Sequence, residues 1–308
     1  MRTRLFIAPI AAFFLCSCGG GIYNGPGTNS GGGGSPQIDT TGAATPAVFV
    51  EAGDAAKAAA VVASLIVPRG PVFSNAPCAT GTSTFTSDTT TAYAGDGRRV
   101  YDQCAQNDGS EQIIADGVTT DRCFAATPDN SSCTNLLIQA GESSQPLTLE
   151  AKSSSNDVIE RFLGLTRKTY NGNSTTDARD GLFEIENLLS HRSMAIAFDH
   201  SSPLTLSSAA NSDGSRSVTA SGLLGLNDSA RATTNCISGQ MTVSTPSTPL
   251  SIDSAGNFRA GELRFTSSDN NSYGIVSFQG DGSVSASVNG GTPQVIAKST
   301  LDSFCSVQ

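Results

Sequence analysis

Residues 261–290 read GELRFTSSDNNSYGIVSFQGDGSVSASVNG, and this stretch decides the fold class. Leu263 and Phe265 alternate with polar residues, which is the period of a half-buried β-strand. Turn-forming residues separate the apolar runs: the SDNNS segment, then Asp281–Gly282, then Asn289–Gly290. With a further run in QVIAKS, the stretch predicts a four-stranded antiparallel meander.

The same turn signals recur along most of the chain. Asp-Gly pairs occur at 96–97, 108–109, 116–117, 180–181, 213–214 and 281–282, and Asn-Gly pairs occur at 171–172 and 289–290. These dipeptides accept the positive φ angles that tight hairpin turns require. Their short spacing predicts successive antiparallel strands rather than helices.

The runs between these turns alternate in polarity. Ile159, Leu163 and Leu165 share one side of a predicted strand, and Glu160 and Lys168 lie on the other side. The later runs FEIENLL and MAIAF alternate in the same way. This pattern indicates antiparallel strands with one buried face.

One helix is predicted, over residues 54–67, in the segment DAAKAAAVVASLIV. The alanines favour helix, Asp54 can cap its start, and Pro68 ends it. Its apolar residues fall on one face, which we expect to pack on the sheet: Val61, Val62, Leu65 and Ile66. A face that binds lipid or a partner is the alternative.

The order GELRFT, YGIVSF, GDGSVSASV resembles a C-terminal pattern of uncharacterised Gly/Ser/Thr-rich lipoproteins of Gram-negative bacteria. The resemblance covers about seventy residues and implies a curved antiparallel sheet or half-barrel, with no activity attached. We therefore predict a mainly β fold, either a curved antiparallel sheet or a half-barrel or sandwich, with one short N-terminal helix and stapling disulfides.

The first residues have the form of a secretory signal. Arg2 and Arg4 supply positive charge, and an apolar run follows from Leu5 to Leu15. The run is too short to span a bilayer, which needs roughly twenty apolar residues.

The segment Leu15-Cys16-Ser17-Cys18 resembles the lipobox of bacterial lipoproteins. That resemblance implies cleavage before Cys18, acylation of Cys18 and, since Gly19 follows, sorting to the outer membrane. The family carries three acyl chains, and two or more make anchoring stable. An ordinary secretory signal cut near Ser17 is the alternative.

Composition divides the mature chain into a tether and a body. Residues 18–45 are rich in Gly, Ser, Asn and Pro. A flexible coil of this length has an r.m.s. span of roughly 25–30 Å. Residues 46–308 form the predicted β-rich domain, within which 236–308 is considered as a C-terminal β-meander subdomain.

The charge of the chain is acidic. Formal net charge is −9, and loss of residues 1–17 removes Arg2 and Arg4 and no acid, giving −11. This balance lacks the basic patch that nucleic acid requires. It also argues against docking on anionic lipid through charge.

Six cysteines follow Cys18, and an even number in an exported chain predicts disulfides. Sequence alone allows fifteen connectivities for six cysteines. We predict sequential pairing, which closes separate loops: Cys78–Cys104, Cys123–Cys133 and Cys236–Cys305. No metal site is predicted, because there is no C-x₂-C pair and the chain has two histidines.

The sequence contains no catalytic signature. There is no G-x-S-x-G elbow and no phosphate-binding G-x-x-x-x-G-K-[ST] loop. His191 and His200 lie near Asp180 and Asp199 in sequence, but both are expected in surface turns. Ser268-Asp269-Asn270 is expected to be a hairpin turn. We predict no catalytic residues and no cofactor.

Three functional hypotheses follow. The first is an outer-membrane lipoprotein, held by acylated Cys18, which has a structural role or binds an envelope partner without catalysis. The second is a carrier of an apolar ligand such as lipid, in a half-barrel trough closed by the 54–67 helix. A carrier needs more apolar surface in the trough than packing on the helix uses. The third is a hydrolase-type enzyme using scattered carboxylates and His191 or His200.

Overall fold

The structure is a computed structural model that describes residue 38 and residues 40–67, 77–91, 93–108, 111–126, 132–142, 146–152, 157–187, 192–228 and 236–305. The predicted signal peptide, Cys18, most of the tether, Pro68 and His191 lie outside the described residues.

The described residues are mainly β-strand. A 3-10 helix, Thr41–Ala44, precedes helix α1, Ala52–Ile66, and helix α2, Lys298–Ser303, lies near the C-terminus. The strands between them are β1 Thr80–Ser87, β2 Gly97–Asp108, β3 Glu111–Ala126, β4 Cys133–Ala140, β5 Leu147–Lys152, β6 Asp157–Asn171, β7 Ser174–Asn187, β8 Arg192–Phe198, β9 Leu204–Ala210, β10 Arg216–Asp228, β11 Gly239–Ser244, β12 Leu250–Ile252, β13 Phe258–Ala260, β14 Glu262–Ser267, β15 Tyr273–Phe278, β16 Val284–Val288 and β17 Gln294–Ile296.

These strands form one antiparallel sheet in which strands near in sequence pair with each other. In two places a pair of short strands lies end to end between the same neighbours. β4 and β5 both lie between β3 and β6, and β8 and β9 both lie between β7 and β10. Strands β14 to β17 form the predicted C-terminal meander, which continues the same sheet. The mainly β, antiparallel prediction is confirmed.

Helix α1 begins two residues before its predicted start. Glu51 is the N-cap residue, and Asp54 accepts hydrogen bonds from the backbone N–H groups of Val50 and Glu51 at 3.0 and 3.1 Å. This reciprocal capping box satisfies N–H groups that the first turn leaves unpaired. The prediction that Asp54 caps the helix was wrong because Asp54 is the third helical residue and closes the box instead.

Helix α1 packs on β14, β15 and β16, while its last carbonyls accept bonds from arginines on β7 and β10. A flat sheet would hold β7 and β16 about 29 Å apart at the usual strand spacing. The helix is about 22 Å long. These contacts therefore require a sheet that curves around α1, and we call the face that packs on α1 the concave face and the other the convex face.

The helix approaches the sheet closely because small residues face each other. A Cβ atom at Gly274 on β15 would lie 2.5 Å from the Cβ atom of Ala55. Around this contact Phe49, which precedes α1, is almost fully buried, as are Leu263, Phe265, Val276 and Ala286 on the concave face. The alanines that favour helix formation thus also permit this close packing.

The end of the predicted tether belongs to the body. Ala43 is buried, and the backbone N–H of Gln240 donates to the carbonyl of Thr45 at 2.5 Å, so this segment packs on the sheet. The proline-containing segment after β11 contains β12, because buried Leu250 and Ile252 pair with β10.

The three disulfides pair as predicted. The bonds are Cys78–Cys104, Cys123–Cys133 and Cys236–Cys305. Cys78–Cys104 and Cys123–Cys133 join neighbouring strands or their ends, as pairing of β1 with β2 and of β3 with β4 allows. Cys236–Cys305 instead joins the segment before β11 to the residues that follow α2.

The described helices include none that is long and apolar enough to cross a membrane.

The side of β6 that carries Glu160 and Lys168 faces the concave side of the sheet, which was not expected of its polar side. Glu160 and Lys168 lie on the concave face, in register with Ile185 and Asp177 on β7. Ile159, Leu163 and Leu165 lie on the convex face and are half-buried. Toward the N-terminus the concave face is therefore partly polar, which alternation alone did not indicate.

Candidate functional site

An exposed aromatic side chain stands on the convex face near the end of strand β3. Phe124 is 50% exposed, and the disulfide Cys123–Cys133 joins its strand to β4 beside it. The guanidinium carbons of Arg122 and Arg167 lie 5.4 and 5.1 Å from the centre of the Phe124 ring. Both distances are within the range of cation–π contacts.

The sheet register brings these side chains together. Arg122 on β3 pairs with Leu137 on β4, and Leu137 pairs with Arg167 on β6, so all three lie on the convex face. We call Arg122, Phe124, Leu137 and Arg167 the aromatic–arginine surface. Neither arginine forms an ion pair in the part of the chain that the structure describes. Within the described residues the surface therefore carries two positive charges without an ion-pair partner, on an acidic chain.

The opposite face of the same strands carries a group of buried polar side chains. On β6, Thr166 and Lys168 are two residues apart, and on β7 Arg179 and Asp177 pair with them directly. We call these four residues the polar block. Thr166 is 0%, Lys168 8% and Arg179 5% exposed.

One side of the polar block is anchored to helix α1. Arg179 Nη2 donates to the carbonyl of Leu65 at 3.2 Å and to Asp177 Oδ2 at 3.1 Å. Arg216 Nη2 donates to the carbonyl of Ile66 at 3.3 Å. Cations at a helix C-terminus satisfy its last carbonyls and complement its dipole.

The remaining polar atoms of the block lack hydrogen bonds. Within the described residues, Thr166 Oγ1, Asp177 Oδ1 and Arg179 Nε are buried without a partner, and Lys168 Nζ makes no hydrogen bond or ion pair. Burial lowers the pKa of Lys168, while the negative charge of Asp177 opposes that effect.

Burial also raises the pKa values of two carboxyl groups on the concave face. Burial raises the pKa of Asp121 to about 6, against the attraction of Arg99, and the charge of Asp96 adds to the rise. Burial alone raises the pKa of Glu160 to about 7. Glu160 faces Leu149 and Ile185 on its neighbouring strands.

The histidine that the structure describes is on the surface. His200 Nδ1 lies 2.5 Å from Asp180 Oδ2, and this hydrogen bond raises the pKa of His200. His200 is exposed, which confirms the predicted surface turn. The adjacent Ser201 hydroxyl donates to Asp199 rather than to His200. The structure thus joins His200 to Asp180, but it places no nucleophile between them.

The described residues contain no group of three or more His, Cys, Asp or Glu side chains that could hold a metal ion. Ser268-Asp269-Asn270 lies in the turn between β14 and β15, where Asp269 accepts bonds from Ser267 and Asn271. The predicted hairpin turn is confirmed.

Neither group was identified as a site from sequence. Arg122 and Phe124 flank Cys123, but Arg167 is 43 residues from Phe124 in sequence and reaches it only through the β3–β4–β6 register. Lys168 and Glu160 stood out as the polar side of β6, and that was the available signal for the concave site.

Comparison with protein-family models, with curated proteins and with solved structures finds no match to this chain.

Proposed function

We propose that this protein is a lipid-anchored outer-membrane lipoprotein that binds an acidic envelope protein through the aromatic–arginine surface. The observation that carries the proposal is Phe124, half exposed on a disulfide-stapled hairpin between two arginines that form no ion pair with any described residue. Aromatic and arginine side chains are the ones enriched at binding hot spots.

The chemistry of the surface selects the partner. Two guanidinium groups that form no ion pair within the described residues favour carboxylates, which arginine binds in a bidentate manner. The ring between them offers apolar contact area. A protein segment with aspartate or glutamate beside an apolar side chain satisfies both requirements.

Anionic lipid is a poorer fit than an acidic protein. The mature chain carries net −11 by sequence, which opposes approach of the whole body to an anionic membrane. The tether, which we expect to begin at acylated Cys18, spans roughly 25 Å and holds the body clear of the headgroups.

The two alternative hypotheses find less support. An apolar carrier needs open apolar surface in the trough, yet on the concave face exposure is at most 1% both under the helix, at Leu263 and Phe265, and on the N-terminal strands, at Ile113 and Leu147. An enzyme needs a nucleophile aligned with its base, and the hydroxyl adjacent to His200, that of Ser201, donates to Asp199 instead.

The test of partner binding uses the mature chain secreted from Gly19, without its lipid, and labelled with a fluorophore. We expect saturable binding to envelopes of cells that lack the protein. The double variant Arg122→Glu/Arg167→Glu should weaken binding at least tenfold, and raised salt should weaken parent binding because the contacts are charged.

The matched control is Phe85→Ala, which removes another exposed phenylalanine stacked by one arginine, Arg99. Phe124→Ala should lose binding and Phe85→Ala should keep it. Equal binding by the parent and by the double arginine variant would overturn the proposal.

The anchor has its own test. Intact-mass spectrometry of the protein extracted from membranes should show a chain that begins at Cys18 and carries three acyl chains. Replacement Cys18→Ser should release the protein from the membrane fraction. An unacylated chain cut near Ser17 would refute the lipid anchor and leave the binding surface to be judged by the previous test.

A further inference from the structure

The polar block on β6 and β7 is rich in unused hydrogen-bond donors. Lys168 Nζ, Thr166 Oγ1 and Arg179 Nε can donate, while Asp177 Oδ1 can accept. The block contains two positive side chains, Lys168 and Arg179, and one negative side chain, Asp177, so its net charge is positive by one. The four residues occupy opposite register positions on adjacent strands, so their side chains share one small area of the concave face.

This arrangement is costly when nothing occupies it. Each unpaired buried polar group costs about 1–3 kcal/mol, and Thr166 Oγ1, Asp177 Oδ1 and Arg179 Nε are such groups within the described residues. Among the described residues eight buried side-chain atoms lack a hydrogen-bond partner, and these three of them lie in this block. Three unpaired atoms at paired positions of two adjacent strands point to a ligand.

We propose that the polar block binds a small hydroxylated oxyanion, whose negatively charged oxygens accept from Lys168, Thr166 and Arg179 and whose hydroxyl group donates to Asp177. The anion neutralises the net positive charge of the block. A carboxylate and a phosphate both present such oxygens, and this shared chemistry is the ligand class.

The route to the block lies toward Tyr170. Tyr170, two residues beyond Lys168 on β6, is exposed and faces the same side. Its ring marks the solvent end of the block and offers apolar contact to the carbon skeleton of a hydroxylated ligand. The opposite end is closed by the Arg179 contact with α1.

The site is independent of the aromatic–arginine surface, because the two lie on opposite faces of the sheet. Its ligand can bind whether or not the acidic partner does.

The test begins with what the protein carries. The mature chain is purified at low salt, unfolded in acid and separated from the released small molecules. We expect about one equivalent of an organic oxyanion, detected by anion chromatography with mass spectrometry. Elemental phosphorus analysis distinguishes a phosphate from a carboxylate. In parallel, dialysed protein is titrated with inorganic phosphate and with glycerate by calorimetry.

The variants are Lys168→Met and Thr166→Val, and the control is Lys298→Met, which removes an exposed lysine paired with Asp302. Lys168→Met should abolish the co-purified anion and weaken binding of the better probe at least tenfold. Thr166→Val should weaken it several-fold and keep the fold, because it replaces an unpaired hydroxyl with a methyl group. Lys298→Met should bind as the parent does.

A purely structural block gives a different result. The parent would release no anion, neither probe would bind, and Thr166→Val would raise the free energy of unfolding with no other change. That outcome, or equal probe binding by the parent and Lys168→Met, would overturn the proposal.

Discussion

The concave face differs between the two ends of the sheet. From β11 to β16 it is apolar and in contact with α1, with Phe265 and Val276 fully buried. On β3, β6 and β7 the same face carries Asp121, Lys168 and Arg179 among buried apolar residues such as Ile113 and Phe162. The concave face of this continuous sheet is therefore apolar at the C-terminal end and a mixture of apolar and polar groups at the N-terminal end.

The difference shows that the part of the sheet with the most apolar packing is not the part that carries the proposed binding sites. The C-terminal end obtains its stability from burial of apolar area, the dominant favourable contribution to folding. The N-terminal end carries unpaired polar atoms that lower stability unless something binds them. Both proposed binding sites, on the convex and the concave face, lie on strands β3 to β7.

The largest expected contrast is between two phenylalanines. Phe265→Ala removes a 0% exposed ring against α1 and should lower the free energy of unfolding by about 3–5 kcal/mol. Phe124→Ala removes a 50% exposed ring and should change it by less than about 0.5 kcal/mol. Urea unfolding followed by circular dichroism measures both. Similar decreases in the free energy of unfolding for the two variants would contradict the proposed difference between the two regions.

Removing disulfides should separate stability from binding. Cys236 and Cys305 close a loop of 69 residues, and Cys123 and Cys133 a loop of 10. In the chain-entropy model, changing both cysteines to Ala lowers the free energy of unfolding by about 4 kcal/mol for Cys236–Cys305 and by about 3 kcal/mol for Cys123–Cys133. Only the Cys123/Cys133 variant should also weaken partner binding, since it loosens the strand that carries Phe124. Loss of binding in both variants that still fold would argue against this.

Glu160 should make the stability depend on pH. Burial raises its folded pKa from 4.5 to about 7, so the folded state holds a proton that the unfolded state releases between these values. Stability therefore falls as pH rises from about 4.5 to about 7, by roughly 3 kcal/mol at most. Glu160→Gln should match the parent at pH 4 and exceed it at pH 8. Parallel pH profiles for the two proteins would exclude this role.

A smaller effect is expected from the helix–sheet contact. Gly274→Ala brings a Cβ atom to 2.5 Å from Ala55 and should cost about 2 kcal/mol. Gly280→Ala is the control, because its nearest atom would be the Arg259 carbonyl oxygen at 3.9 Å. Thermal unfolding compares them. If the two variants melt together, α1 does not pack as closely as described.

Sequence predicted the fold class well because its signals are local. Asp-Gly and Asn-Gly turns and short alternating runs define hairpins, and hairpins bring together the cysteines of the first two disulfides. The start of α1 was missed because Asp54 suits both the cap and the third helical position.

The polar block and the aromatic–arginine surface could not be predicted from the sequence, for a physical reason. Alternation assigns Glu160 and Lys168 to one face of β6 but does not say which face turns toward α1. Which face of β6 turns toward α1 depends on the register of strand pairing across the whole sheet. The approach of Arg167 to Phe124 likewise depends on two strand pairings and on no sequence motif.

The central claim is that strands β3 to β7 bind while the C-terminal strands hold the fold, and matched photo-crosslinking tests it most directly. A photo-crosslinking amino acid replaces either Leu137 on β4 or Ile275 on β15, both half-buried on the convex face, in the anchored protein on intact cells. We predict a discrete crosslinked protein at position 137 that disappears with Arg122→Glu/Arg167→Glu, and none at position 275. A crosslink at position 275 with none at position 137 would contradict the account.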